Sequence, residues 1–242
     1  GPRPADDLPN VLLISIDTLR ADFLSAYGYG EETSPHLAAW ARGSAVLFAN
    51  VVAQAPWTIP SHVSLLTGLD AYRHGVNHAG AVPPALELLA EVLRRAGYTT
   101  AAITGGGYFR PQFGFAQGFD RYDHSAVVGH DHVSSPKATA IALEELRRLR
   151  HQRFFLMVHL FDPHSVYLHH EDFDRTSAYD GPARDWDMEI TRLRERRHDM
   201  AEEDVAFTQK RPFFELRVNL NDFTGDLGHR FPGLAGLHHA VA

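Results

Sequence analysis

Apolar or β-branched residues fill several short stretches of this chain, at 11–16, 46–52, 99–104 and 154–160. Each has strand length, and a continuous apolar run suits a strand covered on both faces. Between them lie segments with helical spacing. Ser34-Pro35 opens one that carries Leu37, Ala38, Trp40 and Ala41. A shorter one holds Pro60 near its start and stops at Gly68. Residues 84–96 place Leu86, Leu89, Ala90 and Leu93 on one face and end before Gly97; residues 138–150 do the same with Leu143, Leu146 and Leu149. Strands alternating with helices predict an α/β fold, a mostly parallel sheet sandwiched by helices. In such sheets, ligands gather beyond the carboxyl ends of the strands. Asp17, Thr58 and Asp162 each follow a predicted strand closely.

The last third has a different texture. Residues 171–211 are rich in Asp, Glu and Arg with weak apolar periodicity, which predicts a solvated loop and a helix over 188–197. Phe214, Leu216, Val218 and Leu220 alternate with polar residues, as in a half-exposed strand. The chain thus divides into an α/β core over 1–170 and a divergent part of the same domain over 171–242. His229, His238 and His239 read as members of a flexible tail, although each could serve as a ligand.

Composition narrows the chemistry. The 242 residues can bury a sizeable core, and an apolar fraction of 44% is ordinary for a globular protein. A net charge of −7 argues against nucleic acid and anionic membranes as general partners. An anionic substrate would then need a local positive site, from a metal or a helix N-terminus. The absence of cysteine removes disulfides and thiolate ligands, and leaves open a cytoplasmic protein or one exported after loss of a leader. No run approaches membrane-spanning length. The 16 histidines leave ample material for metal ligation or proton transfer.

Thr58 is placed just ahead of a predicted helix, where unpaired amides and the helix dipole favour an anion. Such a hydroxyl suits attack on a phosphate or sulfate ester. Asp17 in the same reading is either a turn residue or a metal ligand, and Thr58 either a cap or a nucleophile. Asp162 and His164 flank Pro163 and could bind a metal, protonate a leaving group or shape a turn. His159, inside an apolar run, reads as a satisfied core histidine.

The run Thr58-Ile59-Pro60-Ser61-His62, closing on Leu65-Leu66-Thr67-Gly68, resembles the signature of the sulfatases, within the alkaline phosphatase superfamily. Ile16-Asp17-Thr18-Leu19-Arg20, Gly97-Tyr98-Thr99-Thr100, Gly118-Phe119-Asp120 and His159-Leu160-Phe161-Asp162-Pro163-His164 follow in family order. The resemblance covers residues 9–170 and implies an alkaline-phosphatase-like fold, that of the sulfatase N-terminal domain. It implies a divalent metal ion (Ca, Mg, Mn or Zn) held by Asp17, Thr58, Asp162, His164 and Asp226. It implies Thr58 as nucleophile, with His62 and His164 assisting, and a small anionic ester as substrate.

Departures from the family pattern sharpen this picture. Thr58 stands where sulfatases carry the Cys or Ser that becomes formylglycine, and a threonine cannot yield that aldehyde. The resemblance then points to superfamily members that use Thr directly, such as nucleotide phosphodiesterases and phosphoethanolamine transferases, so a phosphoester is favoured. His62 replaces an Arg. Gly105-Gly106-Gly107-Tyr108 stands where the family has Gly-Lys-Trp-His, and Leu227 follows Asp226 where a ligating His is expected. These features read as truncation or divergence toward the C-terminus. They keep open a second expectation, a non-catalytic relative that binds an anion or a partner.

Overall fold

The computed structural model describes residues 8–30, 32–129, 132–164 and 238–241. Its strands are β1 (Val11–Ile16), β2 (Thr99–Thr104), β3 (Arg121–Asp123), β4 (Phe154–Leu160) and β5 (His238–Val241). They form one sheet in the order β3-β2-β4-β1-β5, with every pairing parallel. The helices are α1 (Pro35–Ser44), α2 (Thr58–Thr67), α3 (Ala71–His74), α4 (Leu89–Arg95) and α5 (Ser135–Leu149). Among the described residues, no helix is long and apolar enough to cross a membrane.

Strand alternation sorts the core into two layers. Leu12, Ile14 and Ile16 of β1 and Leu156, Val158 and Leu160 of β4 pack with Ala138, Ala142, Leu146 and Leu149 of α5. On the other face, Leu13, Ala102, Phe155 and Met157 pack with Ile59, Val63 and Leu66 of α2 and with Phe109 and Phe115. All seven residues of β4 are buried, as a central strand covered twice requires. Each large apolar side chain so buried contributes roughly 1.5–3 kcal/mol of transfer free energy.

The α2 face changes character at its carboxyl end. Continuing the alternation past Leu13 puts Ser15 there, past Ala102 puts Thr104, and past Met157 puts His159. Register aligns all three, since His159 lies opposite both Ser15 and Thr104. A buried polar row thus crosses three strands beneath the start of α2.

Several expectations are corrected. Residues 46–52 form no strand. Val46, Phe48, Val51 and Val52 are exposed, Val52 at 81%, and no described strand pairs with them. A strand needs a ladder partner, which an apolar run alone does not supply. The helix expected over 84–96 starts only at Leu89, because Leu88 donates its amide to the Glu91 carboxylate across 2.9 Å. α5 begins at Ser135, ahead of 138. β5 places 238–241 in parallel pairing with β1, so His238 and His239 belong to a strand and not to a loose tail. The helix over 188–197, the strand around Phe214, Asp226 and His229 lie outside the described residues.

Candidate functional site

β1 ends at Ile16, and the Asp17 amide still donates to the Leu160 carbonyl at 2.9 Å. The chain then turns through Thr18, whose φ of 55° is the one positive value at a non-glycine position among the described residues. For a β-branched residue this conformation costs on the order of 1–3 kcal/mol. The turn leaves the Asp17 side chain at the carboxyl end of the sheet, only 4% exposed.

α2 brings Thr58 to the same place. Trp57 is extended and gives no side-chain cap, so Thr58 is the first helical residue. Its hydroxyl donates to Asp17 Oδ2 at 3.1 Å. Pro60 fits this first turn because its missing amide would have had no helical partner. Gly68, at φ 70°, closes the helix with its amide on the Ser64 carbonyl.

His62 lies one turn behind Thr58 and is fully buried. Its Nδ1 is 2.8 Å from the Thr58 carbonyl, and its Nε2 is 2.6 Å from Ser15 Oγ. A carbonyl can only accept, so Nδ1 carries the proton and the Ser15 hydroxyl donates to Nε2. Burial, together with the neighbouring His159, pushes His62 down to about 4, against weaker opposing effects of the Thr58 carbonyl and Asp17. His62 is therefore neutral at neutral pH. The arginine it replaces carries charge; His62 instead clamps the backbone of Thr58 from beneath.

His159 is fully buried as well, and among the described residues neither ring nitrogen has a hydrogen-bond partner. It is not the satisfied core histidine its position in the strand suggested. Its Nε2 lies 3.6 Å from Asp17 Oδ2, within ion-pair range but longer than a hydrogen bond. Phe109 packs on its ring at 4.1 Å, and His62 meets it edge-on at 5.2 Å. Burial alone would raise the Asp17 pKa. The adjacent His159, with His62 and His164, overcomes this and holds it at about 2.

The other expected site residues sit differently. Asp162 Oδ1 accepts from the Ser134 amide at 2.8 Å, the Ser134 hydroxyl at 2.7 Å and the Ser135 amide at 3.0 Å. The carboxylate thus closes the N-terminus of α5 from the end of β4, as a cap borrowed from a distant segment. The His164 ring stacks on Phe161 with centroids 4.5 Å apart, and its charge helps to lower the Asp17 pKa. Thus Asp17, Thr58 and His62 converge, His164 stands near, and Asp162 is engaged with α5. Sequence reasoning missed Ser15 and His159. A period of two counted back from Asp17 reaches Ser15, but His159 joins it only through the pairing of β1 with β4.

The residues present fit a divalent cation in part. Oδ2 of Asp17 is taken by Thr58 and faces His159, while Oδ1 meets no hydrogen-bond donor among the described residues. The Thr58 and Asp17 oxygens, 3.1 Å apart, have the spacing of neighbouring ligands on a cation with metal–oxygen distances of about 2.1 Å. Among the described residues, no group of three or more His, Asp or Glu side chains could hold a metal ion.

The sulfatase family model matches residues 9–213. The chain belongs to the sulfatase family. Human N-acetylgalactosamine-6-sulfatase is 32% identical over 139 residues, which covers 50% of this chain and 26% of the human protein. Mouse steryl-sulfatase is 34% identical over 115 residues, covering 43% of this chain and 18% of the mouse protein. The matched stretch thus spans about a quarter or less of these relatives. Among solved structures, the C-terminal periplasmic domain of EptC from Escherichia coli, in complex with zinc, superposes with a TM-score of 0.53 at 22% identity, covering 74% of this chain and 52% of that one. The phosphonate monoester hydrolase of Agrobacterium radiobacter gives 0.55 at 23% identity, covering 69% and 44%. These likenesses establish an alkaline-phosphatase-like sulfatase fold, and the family match continues well past residue 170.

Proposed function

We propose that this sulfatase-family chain carries the nucleophile-bearing part of a metal-dependent ester hydrolase or transferase, with Thr58 as nucleophile. The observation that carries the reading is the 3.1 Å hydrogen bond from the Thr58 hydroxyl to Asp17, at the start of a helix and the carboxyl end of the sheet. That hydrogen bond aims the hydroxyl oxygen but does not activate it. A carboxylate held at about 2 is too weak a base to keep a hydroxyl proton at neutral pH. His62 is no alternative base, because its nitrogens are engaged with Ser15 and the Thr58 carbonyl. A divalent cation would supply the missing chemistry, lowering the pKa of the hydroxyl and neutralising the ester oxygens. Asp17 and Thr58 would hold it, with Asp226 and His164 as further candidate ligands. The Thr58 oxygen would bond to phosphorus or sulfur, the ester oxygen would leave with a proton, and water would release the acid from Thr58.

A phosphorus ester is the favoured substrate, because Thr58 cannot become formylglycine. Relatives named sulfatases and a structural neighbour named a phosphonate monoester hydrolase support an anionic ester in general. Leu227 where a ligating histidine is expected, and Gly106 where the family has Lys, favour the second reading, a relative that binds an anion without turnover. The test assays an aryl phosphodiester and an aryl sulfate in parallel, with added Mn²⁺ or Zn²⁺ and with a chelator. Metal-dependent phosphodiester turnover supports the first reading. Metal binding or anion binding without turnover of either ester supports the second.

A further inference from the structure

Gly106 has φ −95° and ψ 144°, ordinary extended backbone open to any residue. Its lack of a side chain is therefore a matter of space. A Cβ there would stand 2.8 Å from His159 Cε1 and 3.2 Å from Nδ1, inside contact distance of the buried ring. Phe109 closes the ring from one side and His62 meets it from another. The imidazole is thus confined, and its Nε2 points at Asp17 Oδ2 across 3.6 Å. A polar ring buried completely, with neither nitrogen hydrogen-bonded among the described residues, costs stability unless it serves something else. What it faces is the carboxylate oxygen that also receives Thr58.

We infer that His159, seated by the absence of a side chain at Gly106, is a positioning residue for Asp17: it holds Oδ2 in its place beside the Thr58 hydroxyl, so that the carboxylate is oriented toward a divalent cation. The inference rests on the metal-dependent reading above and adds the device that orients the ligand. His159 is fully buried and acts through Asp17. A histidine–carboxylate contact behind a metal ligand sets its orientation, and losing such a contact commonly weakens metal affinity about 10–100-fold. The pair is also sterically exclusive. A side chain at 106 and the imidazole at 159 cannot occupy the same space, so the glycine and the histidine act as one unit.

The test uses the full chain and Mn²⁺ alone, titrated by calorimetry and electron paramagnetic resonance, with thermal melts of the metal-free proteins. Wild type binds Mn²⁺ and Asp17→Asn loses it. His159→Phe keeps a ring between its neighbours and removes two unpaired nitrogens, so it melts near wild type yet binds Mn²⁺ at least about tenfold more weakly. Gly106→Ala keeps the imidazole, displaces it, and weakens Mn²⁺ binding in the same direction. Wild-type Mn²⁺ affinity in either folded variant overturns the inference and leaves the metal-dependent reading standing. Failure of folded wild type to bind Mn²⁺ overturns both. Failure of both variants to fold also overturns it, assigning the pair to stability alone.

Discussion

The Thr58 hydroxyl donates to the Asp17 carboxylate across 3.1 Å, although 41 positions separate them in the chain. Two structural choices create this contact. The strained turn at Thr18 ends β1 with its carboxylate at the edge of the sheet, and α2 begins at Thr58 with no side-chain cap from Trp57. Neither side chain belongs to the apolar clusters of the core.

Thr58→Ala should abolish turnover of any ester while leaving the fold intact. The lost hydrogen bond is partly exposed and contributes about 1 kcal/mol, a small share of domain stability. Thr58→Ser keeps the hydroxyl and should retain measurable activity. Steady-state rates beside thermal melts check this. Equal rates in wild type and Thr58→Ala would remove the nucleophile assignment.

His62 predicts a loss of stability in mild acid. Its pKa falls from an ordinary 6.5 to about 4 on folding, so the unfolded chain binds the proton more readily. The contribution is full above 6.5 and is lost as pH falls toward 4. A shift of that size corresponds to about 3 kcal/mol. Asp17 moves in the other window. Its folded pKa of about 2 lies below the unfolded carboxylate value, so its contribution persists until pH drops below about 4. Urea unfolding at pH 7, 5.5 and 4.5 measures the first effect. His62→Gln should flatten that part of the profile, and an unchanged slope would show that other groups control it.

The parallel architecture was legible because β1, β2 and β4 are buried on both faces and so read as apolar runs. Asp17 and Thr58 were legible because each follows or opens an element whose type the local pattern defines. Elsewhere the information is non-local. Ser15, Thr104 and His159 form a row only when three strands adopt one register. The apolar residues at 46–52 have strand character, but strand formation depends on a partner. The role of Asp162 could not be read beside Pro163, since the helix it caps starts 27 residues earlier in the chain, at Ser135.

Asp162→Ala should destabilise the protein more than it affects metal binding. The carboxylate is buried and accepts hydrogen bonds from the Ser134 hydroxyl and from the Ser134 and Ser135 amides. Removing it leaves helix amides without a partner, at a cost of about 2 kcal/mol. Chemical unfolding should show that loss, while Mn²⁺ affinity in the folded variant stays far closer to wild type than in Asp17→Asn. A collapse of metal affinity with stability unchanged would make Asp162 a ligand instead.

The last expectation concerns substrate class. Thr58 bears a methyl group on the carbon that would have to become the formylglycine aldehyde, so oxidation could give only a ketone. Sulfatases hydrolyse their esters through the aldehyde hydrate, and that route is closed here even beside a maturation enzyme. In the proposed reaction the nucleophile is the hydroxyl, which Asp17 orients but, at about 2, cannot deprotonate. On that reading its reactivity at neutral pH depends on a divalent cation. An aryl phosphodiester or phosphomonoester should turn over faster than the matched aryl sulfate. Activity should vanish with a chelator and return with Mn²⁺ or Zn²⁺. The named relatives are sulfatases, which weighs on the other side and makes the comparison informative. Sustained sulfate-ester hydrolysis by metal-free protein would refute the substrate preference and the route to the nucleophile together.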